Sequence, residues 1–280
     1  MSIHEQTFEL TWPDEPTRVV RGRALRPGGP QKRPLPAVLV LHGFKGFMDW
    51  GFFPLFARGL AESGFLAVVF NAAGSGVGED LVDFSDLASF ERDTFSRQLE
   101  EVERVRRFVL EGRLGPVRED ALGLVGHSRG GGVALLHAAA HPVQALVTWA
   151  AIDTVERFGE DAVERWRRDG HLDIPNLRTG QVMRMGRAML DDVEANREAL
   201  DIIAAARRVT APTLLIHGTQ DEAVSPASLE RLSEAVPSAH TLLLEGAGHT
   251  FGAAHPLTEV GPDLERVLAA TVGHLLEHLG

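Results

Sequence analysis

The stretch Ala121-Leu122-Gly123-Leu124-Val125-Gly126-His127-Ser128-Arg129-Gly130-Gly131-Gly132 decides how the rest of the chain is read. A short apolar run, 121–125, has the length of a buried strand and stops abruptly at Gly126-His127-Ser128-Arg129-Gly130. Val133 to Ala140 then follows an alanine-rich helical pattern. Strand, tight turn and helix is the setting in which G-x-S-x-G forms a nucleophile elbow. The glycines have a steric task, because a side chain two positions before or after the serine would collide with the neighbouring strand or helix. Such a turn lifts the Ser128 hydroxyl above the sheet edge and aims a helix N-terminus at the reacting centre.

Outward from this turn, strand and helix patterns alternate. Thr7 to Trp12 and Arg18 to Leu25 alternate apolar and polar residues around Pro13-Asp14-Glu15-Pro16, the pattern of an antiparallel edge hairpin. Residues 26–36 are a proline- and glycine-rich loop. Ala37 to Leu41 and Phe65 to Phe70 are continuous apolar runs, as expected of strands buried on both faces of a parallel sheet. Phe53 to Glu62 reads as a helix, and so does the whole of Ser89 to Leu110. Its alternating charges, Glu100, Glu101 and Glu103 against Arg104, Arg106 and Arg107, read as a solvated, salt-bridged face. Strands follow at Ala145–Ala150, Pro212–Ile216 and His240–Leu244, with helices at Pro226–Ala235 and Leu257–Leu279. Residues 152–209 break the rhythm, are charged and helical in pattern, contain no convincing strand, and read as a small helical cap over the rim. Ligands bind beyond the strand C-termini of such sheets, so the loops after Leu41, Phe70, Val125 and Ala150 should share one rim.

The chain has 280 residues, 44% hydrophobic and 24% charged, enough for one large α/β domain spanning 1–280 with a sizeable core. A net charge of -11 argues against nucleic acid or an anionic membrane as the main partner. With no cysteine, disulfides, thiolate metal sites and a cysteine nucleophile are excluded. Met1 to Gln6 shows no basic region before an apolar core, and no apolar run approaches the ~20 residues of a membrane span. The expectation is therefore a cytoplasmic protein without signal peptide, with room for a homodimer. The twelve histidines show no H-E-x-x-H spacing, so no metal is expected. The segment Asn71 to Gly76 lacks the Gly-Lys-Ser/Thr of a phosphate loop, and no cofactor is expected either.

A serine hydroxyl needs a base at neutral pH, and an imidazole base needs a carboxylate to hold its tautomer. Asp221, in His217-Gly218-Thr219-Gln220-Asp221, and His249, in Gly246-Ala247-Gly248-His249, each follow an expected strand on the Ser128 rim. Asp153, after the strand at 145–150, is the rival acid; Glu222 reads as a solvated neighbour. His127 reads as packing against the sheet, and His42 and His217 as structural groups holding loops. With His42-Gly43-Phe44, these motifs in the order Ser, Asp, His resemble the α/β-hydrolase fold superfamily over nearly the whole chain. Within it the chain is similar to small carboxylesterases and to dienelactone-hydrolase-like and serine-aminopeptidase-like groups.

The resemblance implies a mostly parallel, doubly wound sheet of about eight strands with an N-terminal antiparallel hairpin and a helical cap. It implies Ser128 as nucleophile, His249 as base and Asp221 as orienting acid. It places the oxyanion hole at the backbone N–H groups of Arg129 and Phe44, although the loop reads His-Gly-Phe-Lys-Gly and not His-Gly-Gly-Gly. The implied activity is cleavage of small to medium carboxylic esters through an acyl-enzyme. Peptidase, thioesterase and dienelactone or carbon–carbon hydrolase chemistry would use the same machinery, and a non-catalytic ligand-binding protein could share the fold. Phe44, Trp149, Met183 and Met189, together with Trp166, are candidates to line the substrate pocket.

Overall fold

The computed structural model describes residues 2–31 and 33–280. Met1 and Lys32, which the readings of the N-terminal stretch and the 26–36 loop touch, lie outside it. An antiparallel pair opens the chain, β1 (Ile3–Trp12) and β2 (Glu15–Pro27). Then come β3 (Leu35–Leu41), α1 (Phe53–Glu62), β4 (Leu66–Asn71), α2 (Leu87–Glu91), α3 (Phe95–Leu110), β5 (Val117–His127) and α4 (Arg129–Ala140). After β6 (Ala145–Trp149) the segment over the rim holds α5 (Glu160–Asp169), β7 (His171–Asn176), β8 (Gln181–Gly186), α6 (Arg187–Ala195) and α7 (Ile202–Ala206). The chain ends with β9 (Thr213–Gly218), α8 (Ala227–Ala235), β10 (Ala239–Leu244) and α9 (Pro262–Leu279).

Eight strands form one sheet in the order β1-β2-β4-β3-β5-β6-β9-β10, parallel from β4 to β10 and antiparallel at the hairpin side. The apolar runs are continuous because both faces are covered. In β3, Ala37, Leu39 and Leu41 pack towards α3, α4, α7 and α8, while Val38 and Val40 pack towards α1 and α9. Burying an alternating face on each side stabilises the sheet by roughly 25 cal/mol for each Å² of apolar surface.

Three local expectations give way. The helix expected over Ser89–Leu110 breaks between α2 and α3. Thr94 is extended, its Oγ1 accepts the Arg97 N–H at 3.1 Å, and the residue caps α3. Asp93 at the break turns inwards instead of continuing the helix. Glu101, expected on a solvated face, is 1% exposed: it accepts from Arg18 Nε at 2.9 Å and from the Ala73 N–H at 3.1 Å. A buried carboxylate needs such partners, and β2 supplies the cation. The segment 152–209 is not wholly helical, since β7 and β8 pair antiparallel from His171↔Gly186 to Asn176↔Gln181.

Candidate active site

Ser128 sits between β5 and α4 with φ 57° and ψ −119°, a left-handed conformation that a non-glycine residue adopts only when its surroundings impose it. They do so by hydrogen bonds and by sterics. The Ser128 N–H donates to Trp149 O at 2.8 Å, and Ser128 O accepts from Gly131 N at 3.0 Å and Ile152 N at 3.2 Å. A Cβ on Gly126 would stand 2.3 Å from Gly130 O, and one on Gly130 2.5 Å from His42 O. The turn therefore closes only with glycine on both sides of the serine.

The loop after β9 carries Asp221, whose side chain is fully buried. Its Oδ1 accepts the N–H groups of Ala223 and Val224, both at 2.8 Å. Its Oδ2 lies 2.8 Å from His249 Nδ1 and 3.2 Å from His217 Nε2. Burial pushes the carboxyl pKa up, but hydrogen bonds from His217, His249 and the Val224 N–H outweigh it and hold the group well below the usual carboxylate range. The rival Asp153 is engaged elsewhere: it accepts the Ser228 hydroxyl at 2.8 Å and the Arg231 guanidinium, both from α8.

Around this pair the other histidines hold loops in place. His42 accepts the Ala72 N–H at Nε2 and donates from Nδ1 to Gly43 O, tying the loop after β3 to the loop after β4. His217 Nε2 donates to Val224 O at 3.0 Å. His127, expected to pack against the sheet, does more, since its Nε2 donates to the carbonyl of His249 at 3.0 Å and its ring lies 4.7 Å from the His249 ring. Burial and the neighbouring His249 push its pKa down to about 3, so His127 is neutral and fixes the His249 backbone by a directed hydrogen bond.

Arg129 opens α4, where an N–H has no acceptor inside the helix. Phe44 lies in the loop after β3, and among the described residues its N–H meets no acceptor. The Arg129 side chain turns away from solvent, 2.9 Å from Asp93 and 4.2 Å over the Phe95 ring. This buried pair, which no motif marks in the sequence, fastens the start of α4 to the break before α3.

Ser128, Arg129, Phe44 and His249 line one cavity of about 820 Å³. Its far walls come from the segment over the rim, with Phe158 and Trp166 of the α5 region, Met185 of β8, and Met189 and Val193 of α6. Glu156, Arg157, Glu164, Arg167, Glu194 and Arg197 supply charge of both signs around the same space. Of the pocket candidates named from the sequence, Phe44, Trp166 and Met189 line this cavity, and Trp149 and Met183 do not. Trp149 is fully buried on the opposite face, packed on Phe52 and Phe56, with its indole N–H donating to Thr271 Oγ1 at 2.9 Å. Met183 is buried beneath the β7–β8 hairpin, its Sδ accepting from Asn176 Nδ2 at 3.6 Å.

A family model described as the alpha/beta hydrolase family matches residues 38–261. A curated relative, the 2,6-dihydropseudooxynicotine hydrolase of Paenarthrobacter nicotinovorans, is 26% identical over 87% of this chain. The chain spans about 60% of the length of that relative. Among solved structures, Est1E from Butyrivibrio proteoclasticus is 17% identical with a TM-score of 0.68, covering 97% of this chain and 98% of its own. The esterase domain of a Rhodothermus marinus protein is 19% identical with a TM-score of 0.66, covering 100% of both chains.

Proposed function

The chain belongs to the alpha/beta hydrolase family, and from that premise we propose that it is a serine hydrolase of small to medium carboxylic esters. The observation that carries this reading is the 2.8 Å contact of His249 Nδ1 with buried Asp221, beside a cavity that His249 shares with Ser128. With Nδ1–H committed to the carboxylate, Nε2 is the nitrogen left to take a proton. Ser128 Oγ attacks the ester carbonyl as His249 Nε2 removes its proton. The tetrahedral oxyanion accepts the backbone N–H groups of Arg129 and Phe44, each such donor worth roughly 10²–10³ in rate. Collapse breaks the C–O bond to the alcohol, which leaves with the proton from His249. A water then gives a proton to His249 and its oxygen to the acyl carbon, and the acid departs as Ser128 regains its proton.

The size and walls of the cavity support the substrate class. At about 820 Å³ it lies within the range of roughly 300–1,000 Å³ that holds drug-sized ligands, and Phe44, Phe158 and Trp166 offer it apolar and aromatic walls. Esters are preferred over thioesters, amides or carbon–carbon bonds because one of the structural relatives, the Rhodothermus marinus domain, is named as an esterase. The test is an aryl-ester panel of increasing acyl length with wild type and Ser128→Ala. A loss of ~10⁴ or more in kcat is expected in the variant. Equal turnover in both would remove Ser128 as nucleophile, and wild type that turns over no ester, thioester or amide would mark a ligand-binding protein.

A further inference from the structure

Away from the rim, α3 and the end of α4 bring together three groups that the proposed chemistry does not use. Glu103 of α3, His137 of α4 and His141 just beyond it each offer one donor atom, and these atoms lie within 4.8 Å of one another. His137 Nε2 is 3.3 Å and His141 Nδ1 3.5 Å from the same oxygen, Glu103 Oε2. Two donors each about 2.0–2.1 Å from a tetrahedral ion stand roughly 3.3–3.4 Å apart. Both measured separations are close to that value, and His141, which is partly exposed, can turn to close the third edge.

We propose that Glu103, His137 and His141 form a site for one zinc-class divalent cation, clamping α3 to the end of α4. Two imidazoles with one carboxylate select zinc-class ions over magnesium or calcium, which take oxygen ligands. Arg106 Nη2 and Arg107 Nε both donate to Glu103 Oε1, fixing the carboxylate while Oε2 faces the imidazoles. Arg106 Nε also donates to Oε2, at 2.7 Å, and must yield part of that contact to the ion. The last turn of a helix favours cations through its unpaired carbonyls, and that is where the histidines sit. The fourth position falls to a water on the solvent side of His141.

The expectation of no metal rested on local spacing. Glu103 lies 34 residues before His137, so only the packing of α3 on α4 joins the set. The test uses the full chain stripped with EDTA, titrated with zinc chloride by calorimetry and melted with and without zinc. Saturable zinc binding with a Kd of roughly 1 μM or tighter is expected, together with a raised Tm. His141→Ala and Glu103→Gln should each weaken that site roughly 10–100-fold and abolish the zinc-dependent rise in Tm. Ester turnover in His141→Ala should match wild type. His278→Ala, in the separate His274–His278 pair of α9, should bind as wild type does. The proposal is overturned if zinc binds with no saturable site, or if His141→Ala binds it with wild-type stoichiometry and affinity.

Discussion

At the scale of single residues, Asp221 and Asp153 differ in whom they serve. Asp221 spends one oxygen on two backbone N–H groups of its own turn and turns the other to His249. Asp153 spends both on α8. Asp221→Asn should therefore cut kcat/KM by about 10⁴, and Asp153→Asn by less than about tenfold, both measured on one aryl ester. A larger loss in Asp153→Asn would reverse the assignment of the acid. Trp149 teaches a different lesson. It was a candidate pocket wall, yet side chains alternate along a strand, and Trp149 shares its face with Val147, towards α1 and α9. Sequence fixes that parity but not which face looks at the cavity. Trp149→Phe should lose its bond to Thr271 and about 1 kcal/mol in urea unfolding, with the acyl-length profile unchanged. A shifted profile would return Trp149 to the pocket.

At the scale of elements, the β7–β8 hairpin was hidden by its composition. Pro175 lies inside β7, and charged residues interrupt both strands, so neither run shows the apolar signature of a core strand. A two-stranded ribbon tolerates proline because each strand has an unpaired edge. The sheet strands, by contrast, were legible because burial on both faces leaves them apolar throughout. The elbow was legible because its glycines stand at a fixed spacing on either side of the serine, Gly126 against Gly130 O within the turn and Gly130 against His42 O of the neighbouring loop. Long-range partners such as Arg18 with Glu101, or Asp93 with Arg129, leave no such trace. The hairpin is stitched in place by Trp166 Nε1 donating to Gly186 O, Gln181 Nε2 donating to Phe84 O, and Lys45 Nζ donating to Pro175 O. Trp166 is both a stitch and a wall of the cavity. Trp166→Ala should cost about 3–5 kcal/mol of stability and reduce kcat/KM on long-acyl esters more than on acetates. An equal reduction for both would show that the tryptophan does not touch the acyl chain.

At the scale of the whole molecule, buried histidines set the response to acid. Burial pushes His42 down to about 4, His127 to about 3 and His137 to about 4, all from the usual imidazole value of 6.5. The unfolded chain therefore takes up these protons first. Their contribution is fully present above about pH 6.5 and is lost as pH falls from there towards 4. Glu101 acts oppositely: burial pushes it up to about 7, so it favours the fold more as pH falls from 7 to 4.5. His255 and His274, also pushed down by burial, act with these histidines, while Asp49 and Asp93, pushed up by burial, act with Glu101; the histidines dominate, and Tm should be flat above about pH 7 and fall steadily between about 6.5 and 4. A Tm that stays level through pH 4.5 would contradict this, and a zinc-loaded sample should begin its fall at a different pH.

The positive φ of Ser128 also has a thermodynamic side. Holding an L-residue there costs about 1–3 kcal/mol, a penalty that glycine escapes. Ser128→Gly should accordingly melt higher than Ser128→Ala, although both lack the hydroxyl. The fold alone would be better served by a third glycine in the turn. Under the proposed chemistry the hydroxyl is the reason for a side chain at that position, and a descendant freed from that chemistry would be expected to lose Ser128 before it lost the sheet beneath it.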